Sequence, residues 1–177
     1  MSTNNKSLLF LVGLLPAMHV ILMVGLLIRG IVEKDLSIIF TLLFVAYILP
    51  PLMWRLLNPL IPTQMGTSFL GAHTETVNGW FVSYQIQQIY NALPFLENSL
   101  KLIPGLYSSW LRLWGARIGD DVSWTLQSKI IDRPFIHIGD RCHVGQSAIL
   151  SAHTINKKGE LYHLHLKEII IESDLRI

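Results

Sequence analysis

Hydrophobic positions along this chain follow two unrelated rhythms. The first half holds two uncharged apolar runs, "SLLFLVGLLPAMHVILMVGLLI" from Ser7 to Ile28 and "LSIIFTLLFVAYILPPLMW" from Leu36 to Trp54, joined by "RGIVEKDL". Each run is about 20 residues, enough to cross roughly 30 Å of hydrocarbon at 1.5 Å per residue. The C-terminal part keeps a six-residue beat: Ile118, Trp124, Ile130 and Ile136, then a slip of two residues, then Ile138, Val144 and Leu150. A small residue follows the apolar position at Gly119, Gly139, Gly145 and Ser151. Neither a helix nor an ordinary strand has that period. It belongs to a parallel β-helix, in which three short strands make one triangular coil of about 18 residues and stacking alone creates the core.

These patterns divide the chain into three. Residues 1–57 read as two transmembrane helices in a hairpin, with the charged link as its turn. A signal peptide has a shorter apolar core and a cleavage site, and a buried core helix has a polar face; neither fits. Pro16 and the Pro50-Pro51 pair kink or end helices, because proline removes a backbone donor. Residues 58–114 read as a connector followed by amphipathic interfacial helices. "NPLIPTQMGTSFLGAHTETVNG" is the connector, in which His73 and Glu75 read as part of a solvated loop. Val82, Ile86, Ile89 and Leu93 share one helical face, and "GLYSSWLRLWG" ends at Gly115, a natural helix terminator. Such helices either lie at the bilayer surface or pack together as a small subdomain, and the sequence leaves both open. Residues 115–177 read as the β-helix.

The beat fails after Leu150 and returns in "IIIESDLRI", where Ile171 answers Ile138 and Ile177 answers Val144. About 15 residues are extra, and the alternation of Tyr162, Leu164 and Leu166 with Leu161, His163 and His165 suggests a hairpin leaving the coil just after His153. Counting back one coil with its slip puts Asp132 under Ala152, beside His153. There Asp132 either orients the imidazole or caps a turn. The chain stops partway through its third coil, with Glu172 where earlier coils have glycine. It therefore reads as incomplete at the C-terminus: a fragment or a split gene product.

Composition adds limits. The chain has 177 residues, 51% hydrophobic and 15% charged, with a net charge of +2, too small to argue for nucleic acid. Cys142 is the single cysteine, so no internal disulfide forms and compartment cannot be read from it. Positive charges flank the two apolar runs almost evenly, which leaves orientation undetermined. His163 and His165 form an HxH pair on one strand face, but two ligands without a third carry little, and no metal is expected.

The stretches "GARIGDDVSW", "IIDRPFIHIGDRCHVGQSAIL" and "HT…IIIESDLRI" resemble the left-handed β-helix acyltransferases of the hexapeptide-repeat superfamily. The approach from a Trp-rich amphipathic stretch into "WGARIG" is similar to their membrane-bound relatives, the C-terminal region of nonribosomal peptide synthetase-like proteins such as polylysine synthases. The resemblance is loose from Gly66 and good from Gly115 to Ile177. It implies an acyl group moving from acyl-CoA to an amine or hydroxyl acceptor, with acyl-CoA as co-substrate. It also implies a catalytic histidine on the excursion, a place that His153 matches. Histidine suits the task because its ordinary pKa of about 6.5 makes it a base near neutrality. Lys157 and Lys158 are candidates for coenzyme A phosphates, against a solvated turn. The family implies a homotrimer about the solenoid axis, or assembly with a synthetase. The expected location is the bacterial inner membrane, multi-pass, in contact with lipid, with the solenoid on the cytoplasmic side where acyl-CoA is found. The competing reading is a noncatalytic membrane-anchored scaffold or a fragment of a larger synthetase.

Overall fold

The computed structural model describes residues 3–70, 78–159 and 161–177. His73 and Glu75 lie outside the described residues. A long apolar N-terminal helix leads through a series of short helices into a strand-rich C-terminal part.

Helix α1 (Thr3–Glu33) continues past Pro16 without ending, and the non-helical turn that follows is shorter than the charged link suggests. The second apolar run is α2 (Ser37–Leu43), a π-helical turn (Phe44–Ile48) and α3 (Leu49–Leu57). Two helical segments, Ser7–Glu33 and Ser37–Leu57, are long and apolar enough to cross a membrane, and the first is scarcely covered by protein.

The π turn has an identifiable cause. Pro50 and Pro51 carry no N–H, so the carbonyls of Ala46 and Tyr47, four residues back, lose their usual donors. The Leu49 N–H reaches Phe44 O, five residues back, and so bypasses Val45. Side chains from elsewhere serve all three carbonyls. His19 Nε2 lies 2.9 Å from Val45 O, the Tyr90 hydroxyl donates to Ala46 O at 2.8 Å, and the Trp110 indole donates to Tyr47 O at 2.8 Å. Sharing of freed carbonyls among neighbouring helices is how an apolar helix tolerates proline. Here it fastens the second run to the rest of the protein.

His19 belongs to α1, and the other two donors come from α4 (Gly79–Ala92) and α6 (Leu106–Trp114), with α5 (Phe95–Lys101) between them in the chain. These helices bury Trp80, Ile86, Ile89, Tyr90, Leu111 and Trp114. They pack as a helical layer between the hairpin and the strands, and one hydrophobic cluster runs from Val12 to Leu166. Gly115 ends α6 with φ +101°, the left-handed conformation that a glycine C-cap supplies.

Part of the connector is a strand. Gly66–Leu70 forms β1, which pairs antiparallel with a later strand, Gly66 opposite Leu166. Nothing in the local alternation announces it; the strand exists because that later strand offers it an edge.

The remaining strands stack in parallel. β2 (Arg117–Ile118), β5 (Ile136–Ile138) and β10 (Ile169–Ile171) form one sheet in the order β10-β5-β2, with Ile118 and Ile171 both opposite Ile138. β3 (Ser123–Trp124) pairs with β6 (His143–Val144), and β4 (Lys129–Ile130) with β7 (Ile149–Leu150). The six-residue spacing therefore becomes vertical register: Trp124 faces Val144 and Ile130 faces Leu150. The two added residues are taken up by a 3₁₀ turn at Arg133–Phe135. Arg176 bridges His143, which sets Ile177 over Val144. Between β7 and β10 the chain leaves as a hairpin, β8 (His153–Lys158) and β9 (Leu161–Leu166), which β1 extends to three strands.

Close stacking explains the glycines at Gly119, Gly139 and Gly145. A Cβ on Gly139 would lie 2.5–2.6 Å from Ser173 Oγ and N, inside contact distance. Gly139→Ala is expected to destabilise the protein by about 1–3 kcal/mol, the range for overpacking a tight site, measured by thermal unfolding in detergent. Tyr90→Phe leaves the Ala46 carbonyl buried without its donor and is expected to cost about 1–3 kcal/mol; an unchanged midpoint would show that this bond is dispensable.

Candidate functional site

The stacking that aligns Ile130 with Leu150 also carries Asp132 to the base of the excursion. Asp132 is completely buried, and its carboxylate is well supplied with donors. Oδ1 accepts from the Trp80 indole N–H at 2.9 Å. Oδ2 accepts from the Ala152 N–H at 2.8 Å, the Ser151 hydroxyl at 3.3 Å and His153 Nδ1 at 2.7 Å. Because a carboxylate oxygen can only accept, Nδ1 carries the hydrogen. In the neutral ring this leaves Nε2 as the acceptor. The pair has the geometry of a base and its orienting acid.

The imidazole is mostly enclosed, with 14% of its side chain exposed. Trp80 and Tyr84, one helical turn apart on α4, stack on each other with ring centres 5.1 Å apart. Their centres lie 4.6 and 5.5 Å from that of His153. Thus the strand-rich part supplies base and acid, while α4 supplies an aromatic wall and the second anchor for the acid. Asn78 positions that wall: its side chain accepts from the Trp80 N–H, capping α4, while its amide donates to Gln64 O and Ser68 Oγ in the connector.

The residue after Asp132 holds the same corner from below. Arg133 is wholly buried, beneath Tyr90 at 4.8 Å from the ring centre. Its Nε donates to Glu97 Oε1 at 2.9 Å, and Gln87 Oε1 accepts from both its backbone N–H and Nη1. Nη2 sits 2.8 Å from the same Glu97 oxygen, in ion-pair contact but without hydrogen-bond alignment. Tyr107 also donates to Glu97 Oε1, at 2.9 Å, and burial pushes the phenols of Tyr90 and Tyr107 up, so both remain neutral donors.

Of the candidate residues, His153 and Asp132 are brought together. Lys157 is on the same face of β8 as His153 by strand alternation, four residues along, or about 13 Å at 3.3 Å per residue. Its ammonium lies 5.9 Å from the Tyr162 ring centre. The Lys158 side chain lies outside the described residues. His165 Nδ1 is 3.0 Å from Thr67 Oγ1, and His163 packs edge-on against Phe69. Among the described residues no third ligand joins them. Trp80, Tyr84 and Asn78 were not legible as site residues, since they lie 48 or more positions from Asp132 and His153 in sequence. The one available hint was a Trp at the start of an amphipathic helix, which equally describes a core residue.

In comparisons with known proteins, the chain matches no family model, no curated protein and no solved structure.

Trp80→Phe removes the indole donor and leaves Asp132 Oδ1 buried without a partner. It is expected to cost about 1–3 kcal/mol, read from denaturant unfolding of the purified protein.

Proposed function

We propose that this chain is a membrane-anchored acyltransferase, moving an acyl group from acyl-CoA to an amine or hydroxyl acceptor, with its C-terminal strands wound as a left-handed parallel β-helix. Support for the winding comes from the three parallel strand pairings in register, Ile118 with Ile138, Trp124 with Val144 and Ile130 with Leu150. The hand, a trimeric assembly and the cytoplasmic placement rest on the hexapeptide resemblance. The anchor is the pair of apolar helical segments, read as a multi-pass hairpin.

The observation that carries the chemistry is the 2.7 Å contact between His153 Nδ1 and a fully buried, multiply held Asp132. In the reaction, Nε2 of His153 takes the proton of the acceptor amine or hydroxyl as its nitrogen or oxygen attacks the thioester carbonyl. The new C–N or C–O bond forms and the carbonyl electrons move to oxygen. Collapse then breaks the C–S bond, and the departing coenzyme A sulfur takes the proton back from Nε2. Asp132 keeps the ring in the right tautomer and stabilises the imidazolium formed between these steps. Lys157, on the face of β8 that His153 shares, would meet coenzyme A phosphates together with Lys158.

Radiolabelled acetyl-CoA and detergent-purified protein provide the test. His153→Ala is expected to lower transfer by about 10²–10⁴-fold, with its unfolding midpoint close to that of the parent. Transfer that persists unchanged in the variant rejects the role of His153. Failure of the parent protein to bind coenzyme A at all would instead favour the scaffold reading.

A further inference from the structure

The hairpin alone is too short to reach across a bilayer from where it leaves the rest of the protein. Its two arms are pinned to each other at His19 and Val45, and the second arm is pinned to α4 and α6 at Ala46 and Tyr47. Beyond that level, residues 20–33 of α1 rise about 21 Å at 1.5 Å per residue, against about 30 Å of hydrocarbon. The tip bears Arg29, Glu33, Lys34 and Asp35, whose charges belong in water on the far side. For the tip to get there, the bilayer must extend down past the pinned level and cover the nearest part of the helical layer.

The hydrogen bonds identify that part. Tyr47 O receives the Trp110 indole, while Arg55, further along the second run, donates to the carbonyls of Arg112 and Leu113. Helix α6 therefore runs parallel to the second run, with its Leu106 end toward the hairpin tip. Helix α4 runs the other way: its Gly79 N–H reaches Pro62 O, past the end of α3, and its Tyr90 reaches Ala46. Its C-terminal end, and Phe95 just beyond it, also point to the tip. The turn between α5 and α6 is thus the part of the helical layer nearest the membrane. It exposes Phe95 (62%), Leu102 (68%), Ile103 (57%) and Leu106 (39%), and no charge occurs between Lys101 and Arg112.

We infer that the α5–α6 turn, Leu102 to Leu106 with Phe95 beside it, inserts among the acyl chains of the leaflet next to the hairpin, as a third membrane contact. The inference rests on the membrane reading of the hairpin and is independent of the acyltransferase chemistry. An amphipathic protein surface continuous with a membrane helix gains from lipid in proportion to the apolar area it removes from water.

The test places a single nitroxide label on Ile103→Cys in the full chain, reconstituted in phosphatidylethanolamine–phosphatidylglycerol vesicles, and reads collision with oxygen against a water-soluble nickel chelate. Ile21→Cys on the hairpin and Ile149→Cys on the strand-rich part are the references; native Cys142 is buried. The expected result is oxygen-dominated relaxation at 103, matching 21 and opposite to 149. Nickel-dominated relaxation at 103 with oxygen-dominated relaxation at 21 overturns the insertion and leaves the hairpin reading intact. Nickel-dominated relaxation at both overturns both. Leu102→Cys, read in the same way, guards against a local effect of the label.

Discussion

Two adjacent residues of opposite charge, Asp132 and Arg133, are both removed completely from water. Burying either without partners would cost several kcal/mol, so each must be met by an array of complementary groups. The arrays come from different parts of the chain. Asp132 is met by α4 through Trp80 and by the start of the excursion through Ser151, Ala152 and His153. Arg133 is met by Gln87 of α4 and Glu97 of α5, under the Tyr90 ring. These two side chains therefore tie the corner of the strand stack to the helical layer. Any shift of one against the other would strand a buried charge.

That corner is also where the six-residue beat slips. The two extra residues widen the turn into a 3₁₀ segment and let consecutive side chains point to opposite sides, one toward the imidazole and the other into the helices. Regular spacing would offer no such corner. The irregularity builds the candidate site, and the parallel strand pairs beside it hold it in place.

A similar logic operates in the second apolar run. Consecutive prolines strip donors from its middle, and the freed carbonyls become attachment points for His19, Tyr90 and Trp110. Since Tyr90 also covers Arg133, the apolar hairpin and the buried ion pair share a side chain. A break in helical hydrogen bonding thus joins the apolar hairpin to the corner that holds His153.

How much of this was legible beforehand follows from how local each feature is. The register of Ile118, Ile138 and Ile171, the hairpin after His153 and the meeting of Asp132 with His153 could be counted out along the chain, because stacking turns spacing directly into contact. Helix α6 and its end at Gly115 were readable for the same local reason. Strand β1 was not, since its pairing partner lies about 100 residues away and its own pattern is that of a connector. Nor could the sequence choose between surface helices and a packed layer for residues 79–114, or deliver Trp80 and Tyr84 to the imidazole. Those outcomes depend on which buried polar atoms remain unpaired after the local elements form, and only the assembled tertiary structure decides that.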